Sequence, residues 1–318
     1  MHRVNSMYGY NVHGLRIKSS VKLPIPSHFF MPETDVPVSG RYDLQVEIGN
    51  NDIIGMDPVS QPYLFFKKNS LLHNYRMLLP CNLLIKHLEG DTKIRVSWLY
   101  DKIPQFNSDQ IIDYILDLKF IQKGFLKLHG ASVEYSGDGI MIAGWDGCGK
   151  STISLRFIER GASFLSDDTT IVDKDFAYSY PKRIKAFRGA DGIKQYLKNV
   201  PVVNKFLGIY EKTYPKNIAD KTKIKYIFIP VYGEKSIEKL TKKDALETML
   251  TLNTYRTKTR DTRNLVLAYC YYNKYDLDSL MNSRKEILKS FLKHAECYEI
   301  KSKNVQETLE LIDSVLNK

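Results

Sequence analysis

The run Gly144-Trp145-Asp146-Gly147-Cys148-Gly149-Lys150-Ser151 fits G-x-x-x-x-G-K-[ST], a pattern whose backbone N–H groups cradle phosphates. Its surroundings are in the order this chemistry needs. Residues 140–143, all apolar, are long enough for one buried strand, and 151–160 hold neither Gly nor Pro and stop at Gly161, which suits a helix closed by a glycine. Strand, glycine loop and helix would aim the free N–H groups of a helix start at an anion. Gly144, Gly147 and Gly149 let the backbone reach positive φ and approach the anion closely. Lys150 supplies a charge for the β and γ phosphates, and the Ser151 hydroxyl can ligate Mg²⁺. The cofactor-binding stretch is therefore read as Gly144, Asp146, Gly147, Cys148, Gly149, Lys150, Ser151 and Thr152, with nucleotide phosphates and Mg²⁺ as the expected ligands. Lying among N–H groups at a helix start, Cys148 is expected to favour its thiolate and to react readily.

At 318 residues, with 43% hydrophobic and 12% aromatic content, the chain can fill two globular cores. The most apolar stretch, 111–121, is broken by Asp113, Asp117 and Lys119, and no basic start precedes an apolar run, so a cytoplasmic protein with no membrane partner is expected. The cysteines at 81, 148, 270 and 297 have no C-x-x-C spacing, so neither a zinc site nor a disulfide frame is indicated.

The net charge of +11 is concentrated: residues 182–225 hold twelve Lys or Arg against Asp191, Glu211 and Asp220. Such a segment can hold an acidic or phosphorylated substrate or grip a polyanion, or it is a lysine-rich solvated face. No groove-reading helix, RNP sequence or zinc finger accompanies it, so nucleic acid is not the expected partner.

The first hundred residues read as β-rich, with period-2 alternation in 42–48 and in parts of 63–66 and 93–98. Residues 101–107 read as a linker, and Ser108 can cap a helix with Ile111, Ile112, Ile115, Leu118 and Ile121 on one face. The expected domains are 1–104, β-rich, and 105–318, carrying the phosphate loop. Residues 131–135 and 140–143, joined by Ser136-Gly137-Asp138-Gly139, read as an antiparallel hairpin leading into that loop. After the loop helix, Ala162-Ser163-Phe164-Leu165-Ser166-Asp167-Asp168 reads as a strand ending in two carboxylates, returned beside the phosphates only 17 residues after Lys150.

Leu128-His129-Gly130, the hairpin, the loop, the helix ending Glu159-Arg160-Gly161, and Ser166-Asp167-Asp168 together resemble the core of the HPr kinase/phosphorylase-like family, over about residues 126–185. Phosphoenolpyruvate carboxykinases resemble the same core more distantly. Looser likeness extends to Tyr10-Asn11-Val12-His13-Gly14-Leu15 with Leu23-Pro24, to 224–230 and to 240–246. The resemblance implies an α/β fold with a mixed sheet, behind a smaller β-rich N-terminal domain. It implies that Lys150 and Ser151 bind the nucleotide and Mg²⁺, that Asp167 helps hold the metal, that Asp168 acts as general base on a hydroxyl, and that His129 sits near the transferred phosphate. The expected activity is γ-phosphoryl transfer from ATP to a serine of a protein or peptide, or to a small-molecule alcohol. The alternative is a nucleotide-dependent switch that binds a polyanion through the basic segment. A homo-oligomer is compatible with either.

Asn273-Lys274-Tyr275-Asp276 matches N-K-x-D, a guanine-reading motif, but no D-x-x-G lies between the loop and Asn273, so a loop after a strand is the better reading. Tyr269, Tyr271, Tyr272 and Tyr275 are expected to be half-buried strand positions.

Overall fold

A computed structural model describes residues 7–32, 40–51, 55–60, 63–75, 81–98, 108–182, 184–187, 210–213, 215–254 and 260–317. The chain forms two compact units, Met1–Gly124 with Thr257–Arg284, and Phe125–Arg256 with Lys285–Lys318.

In the first unit, β1 (Tyr8–Val12), β2 (Leu15–Ser19), β3 (Phe30–Met31), β4 (Leu44–Ile48), β5 (Asp57–Ser60), β6 (Leu64–Lys67), β7 (Ser70–Tyr75), β8 (Cys81–Lys86) and β9 (Thr92–Val96) form one sheet in the order β3-β1-β2-β4-β9-β8-β7-β6-β5. The β-rich reading of this region holds. In β9, Thr92, Ile94 and Val96 are buried while Lys93 and Arg95 are exposed, as period-2 alternation requires of a sheet with one face covered.

The helix expected from Ser108 forms as α1 (Ser108–Gln122), with all five of its periodic isoleucine and leucine positions buried. It groups with the first unit rather than opening the second, so the division falls after Gly124, not near 104. The reason is packing. The buried Lys119 ammonium donates to the Leu88 carbonyl (2.9 Å) and to that of Gly90, and burial pulls its pKa down to about 8. The same turn receives a later helix: the Leu88 N–H donates to Tyr269 Oη (3.0 Å), and that hydroxyl donates to Glu89 Oε2 (2.7 Å). The expected linker, 101–107, lies outside the described residues.

The second unit is built on β10 (Leu126–Leu128), β11 (Gly130–Tyr135), β12 (Asp138–Ala143), α2 (Lys150–Glu159), β13 (Ser163–Ser166), β14 (Thr170–Val172), β15 (Ala177–Tyr178), β16 (Ile184–Phe187), β17 (Tyr210–Thr213), β18 (Lys221–Thr222), β19 (Ile224–Tyr232), β20 (Ser236–Lys239) and α3 (Lys242–Thr254). After α4 (Arg260–Asn273) and α5 (Leu277–Phe291) come β21 (Glu296–Ser302) and α6 (Val305–Leu316). The main sheet is mixed, ordered β13-β11-β12-β19-β21-β20. β12 pairs antiparallel with β11 and parallel with β19, and β19 runs parallel to β21. Covered on both faces, β12 buries Ile140, Met141, Ile142 and Ala143 without alternation, which is why its sequence is a continuous apolar run. On one face Ile140, Ile142, Phe228 and Ile300 pack with Ile153 and Phe157 of α2 and Leu309 and Ile312 of α6.

Two expectations about the C-terminal part are corrected. Tyr269, Tyr271 and Tyr272 lie on α4, not on a strand, and Tyr275 follows it. Leu265, Val266, Tyr269 and Cys270 are buried while Tyr271 is 78% exposed, a repeat near 3.6 rather than 2. Asn273-Lys274-Tyr275-Asp276 therefore follows a helix. Its side chains serve the fold: Asn273 Oδ1 accepts from the Asn69 N–H (2.6 Å), and Asp276 Oδ1 accepts from the Ser279 N–H in the first turn of α5 (2.9 Å). Much of the basic segment, including Arg188, Lys194, Lys198 and Lys205, lies outside the described residues. No described helix is long and apolar enough to cross a membrane.

Candidate functional site

The hairpin turn forms at Ser136 and Gly137, both at positive φ (53° and 85°), the conformation that matches the twist of a two-residue hairpin. It delivers β12 into the glycine-rich loop 144–149, where Gly144, Gly147 and Gly149 take φ of 155°, 91° and 95°. Gly149, at φ 95° and ψ 7°, is the residue before α2, and Thr152 lies in the first turn of that helix. Gly161, at φ 95°, follows its end, and the Gly161 N–H donates to the Ile158 carbonyl (3.0 Å). The Lys150 ammonium is buried over the loop's entry and donates to the carbonyls of Gly144 and Trp145, both at 2.9 Å.

β13 lies beyond β11 in the strand order, so the returning strand is two places from β12. It nevertheless brings Asp167 to the loop helix: Ser151 Oγ donates to Asp167 Oδ1 at 2.8 Å. Two oxygens in adjacent corners of an octahedron drawn at Mg²⁺ bond lengths stand about 2.9 Å apart, so this hydroxyl and carboxylate have the spacing and hard-oxygen character that Mg²⁺ takes.

Asp168 faces elsewhere because its backbone turns left-handed, at φ 67°. Its Oδ1 is 3.2 Å from His129 Nδ1, and its carbonyl is 2.9 Å from the same nitrogen. The His129 ring is 5% exposed; its Nε2 lies 3.1 Å from Oδ1 of Asp146, a loop residue whose side chain is 81% exposed. The two adjacent aspartates are thus splayed, one onto Ser151 and the other onto His129. His129, Asp146 and Asp168 each offer a ligand atom, all within 4.8 Å of one another.

Two features escaped the sequence reading. Asp146 was assigned to the nucleotide, and its pairing with a histidine 17 residues earlier depends on β11 and β12 folding side by side. Asn253 on α3 fixes the entry to β11: its Oδ1 accepts the His129 N–H (2.7 Å) while its Nδ2 donates to the Met249 carbonyl (2.6 Å). No local pattern marks Asn253. The expectation for Cys148 is corrected. Burial pushes its thiol above the ordinary value, and this outweighs the opposing pull of the Lys150 charge and of backbone N–H groups.

No protein-family model matches the chain. Curated relatives are HPr kinase/phosphorylases. That of Lactobacillus gasseri is 30% identical over 125 residues, covering 36% of this chain and 39% of the relative. That of Chlorobaculum tepidum is 28% identical over 115 residues, covering 34% and 33%. The chain spans about a third of the length of these relatives. Among solved structures, the HPr(Ser) kinase/phosphatase from Coxiella burnetii aligns over 60% of this chain and 94% of that one, with a TM-score of 0.29 and 12% identity. The family resemblance read from the motifs is borne out by the curated relatives.

Proposed function

From this likeness to HPr kinase/phosphorylases, we propose that the chain is an ATP- and Mg²⁺-dependent phosphotransferase that passes the γ-phosphoryl group to a hydroxyl. The acceptor is a serine of a protein or peptide, or a small-molecule alcohol. The observation that carries this reading is the splaying of Asp167 onto Ser151 and Asp168 onto His129 beside a phosphate loop.

Phosphoryl transfer asks mainly for positioning and charge neutralisation, then for an acceptor of the hydroxyl proton. When bound, ATP with Mg²⁺ supplies the transferable group and neutralises part of its charge. Gly144 lets the loop close on itself without a side chain, since a Cβ there would stand 2.8 Å from Cys148 Sγ. Gly147, Gly149 and the first turn of α2, with Thr152, offer N–H groups to the phosphates. Lys150 leaves its two loop carbonyls to meet the β and γ phosphates, exchanging neutral acceptors for charged ones. Ser151 and Asp167 hold the metal through two hard oxygens. Asp168, 48% exposed and so open to an incoming acceptor, takes the hydroxyl proton. His129, buried and tied at both ring nitrogens, orients the Asp168 carboxylate and stands beside the transferred group.

The experiment is an acceptor screen with γ-labelled ATP, using HPr, serine peptides and small alcohols. Label should pass to one class with the wild type and not with Asp168→Asn. Equal labelling by both proteins would remove Asp168 from the chemistry.

A further inference from the structure

His129, just before β11, and the acids after β13 lie on one flank of β12 in the strand order. On the other flank β19 and β21 run parallel to β12, so their carboxyl ends reach the same edge of the sheet as the phosphate loop. Chain connections diverge here: from β12 the chain passes through α2 to β13 on one side, and from β19 it continues to β20 and β21 on the other. The crevice outside the carboxyl ends of β12 and β19 is therefore a topological switch point, the place where open α/β sheets take ligands.

On this flank the end of β19 and the start of α6 both adjoin the loop. The Pro230 carbonyl lies 3.5 Å from a Cβ built on Gly144, so the end of β19 adjoins the first loop glycine. Alternation puts Phe228, Pro230 and Tyr232 on one face. Phe228 is packed in the core beneath α2 and α6, whereas Tyr232, two steps further on, is 85% exposed. Val305, the first residue of α6, lies against the loop, its Cγ2 2.9 Å from a Cβ built on Gly149. Tyr232 pairs in register with Ser302, three residues before Val305.

We propose that Tyr232 and Val305 form the base subsite of the nucleotide: the triphosphate crosses the loop with its terminal group toward Asp168, and the base lies on the opposite flank, stacked on the Tyr232 ring. This rests on the phosphate-loop reading and adds an orientation to it. Acceptor and base approach the loop from opposite sides. A ring that stacks on a base face reads none of its edges, so the subsite selects a flat heterocycle and accepts either purine.

The test is calorimetric binding of Mg·ADP and of Mg·tripolyphosphate, which has no base. With Tyr232→Ala, ADP affinity should fall between about fivefold and about a hundredfold, the range of one lost stacking contact, while tripolyphosphate affinity stays at the wild-type value. Tyr232→Phe should keep wild-type affinity for both. Unchanged ADP affinity in Tyr232→Ala would put the base elsewhere and overturn the proposal, as would equal losses for ADP and tripolyphosphate. If the wild type binds neither probe, the phosphate-loop reading itself fails and the subsite with it.

Discussion

Gly149→Ala perturbs the junction that holds the glycine-rich loop to the last helix, and its cost has two separable parts. At φ 95° and ψ 7° the backbone is left-handed, which costs an L-residue about 1–2 kcal/mol. The new Cβ would also stand 2.9 Å from Val305 Cγ2, an overlap that forces a few tenths of an ångström of movement in a stiff β-branched side chain and costs about 1–3 kcal/mol. The single variant should lose about 2–5 kcal/mol in urea unfolding. Val305→Ala removes the obstructing methyl group but leaves the backbone term untouched. The double variant should therefore be about 1–3 kcal/mol less destabilised than the two single losses added together. Strict additivity, or a loss below about 0.5 kcal/mol for Gly149→Ala, would refute the packing of Val305 on the loop.

Asp168→Asn should keep Mg·ATP binding while transfer falls by about 10² to 10⁴, the range for a missing general base, whereas Asp167→Asn should weaken apparent Mg²⁺ affinity; indistinguishable variants in binding and turnover assays would contradict the splayed arrangement. Asn253→Ala removes the acceptor of the His129 N–H and should lower the turnover number with little change in Mg·ATP affinity; a variant impaired only in nucleotide binding would break that link. Cys148 should be alkylated more slowly than free cysteine at pH 8, because burial raises its pKa: the thiol persists as pH passes the ordinary value, and reactivity climbs only as pH passes the raised one. Mass-spectrometric labelling that is already complete at neutral pH would count against this.

What the sequence made legible was local. Glycine spacing marked the loop, Gly161 marked the end of α2, and Ser136-Gly137 marked the hairpin, because each is a backbone requirement written into one or two residues. The division between the units was not legible, since α4 joins the first unit through Tyr269 and the turn at Leu88, which are 181 residues apart. Nor was the helix at 260–273, where a tyrosine-rich run offers strand propensity but packing imposes helical spacing. Cys148 was misjudged because the field of a helix start can be anticipated from a motif, while the burial that outweighs it depends on residues brought in by the fold. The tie between Asp146 and His129 was hidden for the same reason: it belongs to two strands laid side by side, not to any spacing along the chain.

The central claim is that the loop from Gly144 to Ser151 holds the phosphates of ATP. Equilibrium binding of Mg·ATP to the wild type and to Lys150→Ala tests it most directly. Saturable binding by the wild type and its loss in the variant, with the variant still folded by circular dichroism, is the expected result. Equal affinity in the two proteins would mean that the phosphates lie elsewhere.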